Sequence, residues 1–131
     1  MCIFCKIINK EIPNYTVYED DFVLAFLDIN PCTKGHTLVI PKKHYENVFV
    51  LPDEELQRIT VVAKKIAILL KEKLGAEGIN FLNSNGKIAQ QEIEHYHMHI
   101  IPRYKDNNCK IDFLNKTEEK DFESVIAKIN K

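Results

Sequence analysis

The sequence predicts an α+β domain, on three observations. Residues 51–75 carry apolar side chains at helical spacing over about seven turns. Five shorter apolar runs, rich in Val, Ile, Leu and Phe, lie on either side of that helix. The connections between neighbouring runs are short, which favours antiparallel pairing over crossover connections.

Each element follows in chain order. Residues 3–10, "IFCKIINK", place Ile3, Phe4, Ile7 and Ile8 at helical spacing and stop before Pro13. "TVYED" and "FVLAFLD" read as two strands joined by an acidic turn at Asp20 and Asp21. "GHTLVIPKK" is a third strand. In the long helix Pro52 suits the first helical position, and Asp53, Glu54 and Glu55 suit the positive end of the dipole. Leu56, Ile59, Ala63, Ile66, Leu70 and Leu74 form its apolar stripe, and Gly75 ends it. "INFLN" and "HYHMHII" are two further strands. Residues 117–130 read as a helical tail with Phe122, Val125, Ile126 and Ile129 on one face.

The whole chain bounds the function. Its 131 residues suit one domain, 1–131, with a core over 1–104 and a tail over 105–131. A net charge of −1 excludes a general nucleic-acid or anionic-membrane surface. No run reaches the roughly 18–20 apolar residues of a membrane span. The N-terminal stretch is too short and too polar for a signal peptide, so the expected location is the cytoplasm. In a reducing compartment the four cysteines are expected as thiols or metal ligands. Cys32 and Cys109 lack a spacing partner and read as small structural residues.

Three of the five histidines stand at every second position: His95, His97 and His99. On a strand such residues share a face, with Tyr96, Met98 and Ile100 pointing into a core. Neighbours in the row are then ~7 Å apart and the outer pair ~13 Å. One metal could accept two adjacent members but hardly all three, because zinc–nitrogen bonds are only ~2 Å. At least one imidazole has another task. A neutral imidazole is a good nucleophile toward phosphorus, and a second beside it can serve the leaving group.

"HYHMHII" resembles the His-x-His-x-His-x-x motif of the histidine triad (HIT) superfamily. "DINPCTKGHTLVIPKKHYENV" and "CIFCKIINKEIP" are similar to the segments that precede the motif in that family. The resemblance covers about residues 1–104 and lies nearest the nucleotide-binding hydrolase branch, since His99 stands where the transferase branch typically has Gln. It implies a HIT-like fold with a five-stranded antiparallel sheet, a long helix, a short N-terminal helix and a homodimer.

The resemblance also implies roles. His97 would attack the α-phosphorus of a purine nucleotide conjugate, such as a nucleoside 5′-phosphoramidate. A nucleotidylated His97 would form, and water would release the nucleoside monophosphate. His99 would hydrogen-bond phosphoryl oxygens or assist the leaving group. Asp28 would hold ribose hydroxyls, while Phe4, Ile7, Phe26 and Ile29 would wall the base. Asn83 and Gln91 would contact phosphate. Two departures fall beside Gln91: Gln90 stands where the family usually has Gly, and Glu92 replaces a frequent Ser. His36 receives no role.

Cys2-x-x-Cys5 has metal-ligand spacing, and also the spacing of a redox pair or of two ordinary buried cysteines. The resemblance adds His44 and His95 and implies a structural zinc on Cys2, Cys5, His44 and His95, with no organic cofactor. His97 and His99 would then be left for chemistry in which no metal need take part. Other readings are a dinucleoside polyphosphate hydrolase, a non-enzymatic nucleotide-binding regulatory protein, and a metal-dependent enzyme using His95, His97 and a carboxylate.

Overall fold

The computed structural model describes residues 2–106, 109–112 and 116–131. Helix α1 (Ile3–Ile8) precedes strands β1 (Thr16–Glu19), β2 (Val23–Leu27) and β3 (Thr37–Pro41). The long helix α2 (Asp53–Leu74), β4 (Gly78–Leu82), β5 (Met98–Arg103) and helix α3 (Phe122–Ile129) follow. One five-stranded sheet runs in the order β1-β2-β3-β5-β4, and every neighbouring pair is antiparallel. The α+β class and the five-stranded antiparallel sheet are as the sequence predicts.

Alternation along the central strands feeds two cores. Val23, Ala25, Val39 and Ile100 face α2 and pack with Ile59, Val62, Ala63, Ile66 and Leu70. Leu24, Phe26, Leu38 and Ile40 face the other way and pack with Phe4 and Ile7 of α1. All five residues of β3 are therefore buried. Completely buried Ile59 marks the centre of the α2 seam, and truncating it to Ala would cost about 2–5 kcal/mol.

The ends of α2 are set locally. Asp53, Glu54 and Glu55 occupy its first turn, and Gly75 turns left-handed at φ 73° to close on the Leu70 carbonyl. Gly35 has a tertiary reason. Its φ is +90°, and a Cβ there would meet the Leu74 side chain at 2.7 Å. The β2–β3 turn can thus press against the end of α2 only with glycine at that position.

Two expectations need correction. The strand predicted over residues 95–101 begins only at Met98. Pro41 has no N–H to offer the facing chain, and the Tyr96 N–H goes instead to the Tyr45 carbonyl at 2.7 Å. Pairing between β3 and β5 therefore stops at Val39 and Met98.

The second correction concerns Cys32 and Cys109. They are not separate small residues but partners in a disulfide, with Cα atoms 5.9 Å apart across 77 positions. The chain after β5 returns to the β2–β3 loop, where Tyr104 Oη donates to the Lys34 carbonyl. That return is a tertiary event which no cysteine spacing encodes.

Candidate active site and metal centre

The site lies where α1, the β2–β3 loop and the approach to β5 meet. Although His95 and His97 precede the strand, side chains still alternate. Tyr96, Met98 and Ile100 pack on the α2 side. His97 instead meets the edge of the Phe4 ring, with centroids 5.2 Å apart, and its ring lies 5.0 Å from that of His99.

Hydrogen bonds assign the protons on these imidazoles. His97 Nδ1 lies 2.8 Å from the His95 carbonyl, which can only accept. His97 therefore carries its proton on Nδ1 and leaves the Nε2 lone pair free. Asn83 Nδ2 donates to the His97 carbonyl at 2.9 Å and fixes the backbone beneath the ring. Burial lowers the His97 pKa below the usual imidazole range, against the bond to His95 and the charges of Asp28 and Glu92. The ring is accordingly neutral at pH 7, the form that can attack an electrophile.

His99 is assigned through His36. The Cys32 N–H donates to His36 Nδ1 at 3.0 Å. His36 thus holds its proton on Nε2 and donates it to His99 Nδ1 at 2.9 Å. The His99 proton is left on Nε2, available as a donor. Burial, with the nearby His97 and His36, pushes the His99 pKa down to about 4. Asp28 Oδ2 stands 3.6 Å from His36 Nε2. Burial lowers the His36 pKa, and Asp28 opposes that shift. His36 is the functional side chain that sequence reasoning missed. A histidine at the head of an apolar strand needs a polar partner when buried, which is a signal, but the partner lies 63 residues away.

The expected nucleotide residues fall into two groups. Phe4, Ile7 and Phe26 form one buried cluster under the histidines, and Phe4 and Phe26 meet edge to face at 5.6 Å. Asp28 is half-buried, whereas Ile29 is 80% exposed and stands outside that cluster. In the 83–92 loop, Asn85 donates to Asn83 Oδ1, and Asn83 Nδ2, which donates once to the His97 carbonyl, has a second N–H to offer. Gln91 keeps none. Its Nε2 donates to the Glu46 and Ile93 carbonyls, and its Oε1 accepts from Gly86 N–H. Gln91 is buried and holds the loop. Gln90 adopts φ 69°, a left-handed conformation that glycine would hold without a side-chain penalty.

The other cluster has the chemistry of a zinc site. Cys2 Sγ, Cys5 Sγ, His44 Nδ1 and His95 Nδ1 supply the donors, all within 4.8 Å of one another. Cys2 Sγ lies 3.5 Å from His95 Nδ1, Cys5 Sγ 3.3 Å from His44 Nδ1, and the two Nδ1 atoms 3.1 Å apart. The edges of a Cys₂His₂ zinc tetrahedron measure roughly 3.3–3.8 Å. His95 Nε2 donates to the Pro41 carbonyl at 2.8 Å, which leaves Nδ1 as the ligating atom. Burial holds the His95 pKa near about 4, so its lone pair is free at neutral pH. The residues fit a zinc ion.

Known proteins resemble this chain in both sequence and fold. The family model described as "HIT domain" matches residues 9–106. An uncharacterized HIT-like protein of Methanocaldococcus jannaschii is 53% identical over 129 residues, covering 98% of each chain. An adenosine 5′-monophosphoramidase of Saccharomyces cerevisiae is 40% identical over 124 residues, 95% of this chain and 75% of that one. A crystal structure of a HIT family member from Bacillus subtilis superposes with a TM-score of 0.89 at 44% identity, covering 98% of this chain and 94% of that one. A Zn-bound histidine triad family protein from Mycobacterium smegmatis does so at 0.80 and 32% identity, covering 98% and 95%. The matched residues span all five histidines, and by sequence and fold together the chain is a member of the HIT domain family.

Proposed function

We propose that this protein is a nucleotide-binding hydrolase of the HIT type, acting on purine nucleoside 5′-phosphoramidates or related nucleotide conjugates. The observation that carries the reading is the His97 Nδ1–His95 carbonyl bond, which presents a neutral Nε2 lone pair beside the Asp28 loop. The 40% identity to a yeast adenosine 5′-monophosphoramidase supports the substrate class.

In this mechanism His97 Nε2 forms a bond to the α-phosphorus. The phosphorus–nitrogen bond breaks, its electron pair stays with the departing nitrogen, and that nitrogen takes up a proton from solvent to leave as the neutral amine. His99 Nε2–H hydrogen-bonds the phosphoryl oxygens or the departing group, worth about 2–4 kcal/mol in the transition state for a donor so placed. Water then adds its hydroxyl to phosphorus and gives its proton to solvent, while the His97 Nε2–phosphorus bond breaks, returns its electron pair to the imidazole and frees the nucleoside monophosphate. Asp28 accepts from the ribose hydroxyls, and Phe4, Ile7, Phe26 and Ile29 line the base. Asn83 meets phosphate with its spare N–H, and Gln91 contributes by shaping the loop.

Zinc on Cys2, Cys5, His44 and His95 would tie α1 to the approach to β5 and leave the reacting imidazoles free. The donor geometry and the Zn-bound mycobacterial relative support it. Two copies would pair through edge strand β4, whose Phe81 and Leu82 are exposed.

The test is hydrolysis of adenosine 5′-phosphoramidate by the wild type and by His97→Ala, each checked for folding and zinc content. Loss of turnover by orders of magnitude with zinc retained supports covalent catalysis. A nearly active variant, or an inactive wild type that binds nucleoside monophosphate tightly, overturns it in favour of a binding protein.

A further inference from the structure

The disulfide stands apart from the chemistry above, yet it touches the loop that carries Asp28 and His36. Cys32 is exposed and Cys109 half-buried, so a small thiol can reach the bond. The Cys32 N–H is the donor that fixes the proton on His36, and through it the orientation of His99. Within the same loop Asp28 N–H donates to the His36 carbonyl, and Asp28 Oδ1 accepts from Asn30 N–H. Displacement of residue 32 therefore acts on both the ribose carboxylate and the imidazole pair.

Cys109 sits on the chain leading to α3. Arg103 donates to its carbonyl, and all residues from 116 to 131 are exposed. The tail buries little of itself, and the covalent link is a strong restraint on its position beside the loop. The rest of the loop has independent anchors, Thr33 Oγ1 to the Pro102 carbonyl at 2.7 Å and Tyr104 to Lys34. Opening the disulfide would thus loosen residue 32 and the tail without dissolving the sheet.

We propose that Cys32–Cys109 is a redox-responsive staple: closed, it clamps the C-terminal tail to the β2–β3 loop and holds the nucleotide site ordered; open, it releases the tail and weakens nucleotide binding. Closure forms one sulfur–sulfur bond from two thiols, while a low-molecular-weight disulfide accepts the two electrons and is reduced to two thiols. Opening is the reverse exchange. The exchange and the tail release stand without the hydrolase reading, and only the effect on nucleotide rests on it.

The full-length zinc-loaded protein would be equilibrated in glutathione buffers of stepped ratio. Alkylation with mass mapping reports the Cys32–Cys109 pair, limited trypsin digestion after Lys110 and Lys116 reports the tail, and calorimetry reports adenosine monophosphate affinity. Reduction is expected to speed tail cleavage several-fold and to weaken monophosphate binding about three- to tenfold through lost preorganisation. Cys109→Ser should show the reduced values in every buffer. The proposal is overturned if the pair never forms, or if it forms and monophosphate affinity is the same in both states. If neither form binds the nucleotide while tail cleavage still follows the redox state, it is the proposed function that fails and the staple that stands.

Discussion

The imidazole of His36 donates from Nε2 to His99 Nδ1 across 2.9 Å, joining the β2–β3 loop to the second residue of strand β5. His36 is placed to orient His99 rather than to meet substrate. Replacing it by Ala should lower kcat by about 10–100-fold, the usual range for loss of a residue that orients another functional ligand. KM for adenosine 5′-phosphoramidate and zinc content should change little. Steady-state kinetics decides: a loss confined to KM would show that His36 only shapes the binding surface.

Removing the metal should act on stability. Cys2, Cys5, His44 and His95 come from α1, the stretch after β3 and the approach to β5, so the ion would cross-link three parts of the chain. With free zinc ~1,000-fold above its dissociation constant the stabilisation is about 4 kcal/mol. Chelation, or Cys5→Ser, should lower the melting temperature and abolish stoichiometric zinc. Metal analysis beside a thermal melt tests this, and an unchanged melting temperature would remove the structural role.

Acid should destabilise the fold through His99. Its pKa is lowered from 6.5 to about 4 on folding, chiefly by burial. The folded state then binds fewer protons than the unfolded one between those values, so stability rises with pH in that window. The contribution is fully present above 6.5 and is lost as pH falls from 6.5 toward about 4. Urea midpoints of zinc-loaded protein between pH 7.5 and 4.5 should fall more steeply for the wild type than for His99→Gln. Parallel curves would mean that His99 is readily protonated in the fold.

The 83–92 loop offers a stabilising change. Gln90 holds φ 69°, which costs a side-chain-bearing residue roughly 1–2 kcal/mol relative to glycine. Gln90→Gly should therefore raise stability by about 1 kcal/mol, less the added freedom of the unfolded chain. Denaturant midpoints measure it. A loss of stability would show that the Gln90 side chain makes compensating contacts.

Much of the molecule was legible locally. The stripe from Leu56 to Leu74, the stop at Gly75 and the period-two pattern of the strands each follow from burial of one face. The Cys2-x-x-Cys5 spacing and the His95, His97, His99 repeat named the chemistry-bearing residues. The start of β5 was not legible, because it depends on Pro41 in a facing strand. Nor was the inward turn of Gln91, whose partners include the Glu46 carbonyl 45 residues away.

By itself, the sequence determined what repeats along the chain: which segments form helices and strands, which face each buries, and which imidazoles and cysteines are present. Tertiary structure alone decided which proton each imidazole carries, that His36 serves His99, and that Cys32 bonds to Cys109. The reason is range. Periodicity reflects burial, which acts on every turn of helix or pair of strand residues, whereas hydrogen bonds and disulfides act over a few ångströms and join residues that only strand order brings together.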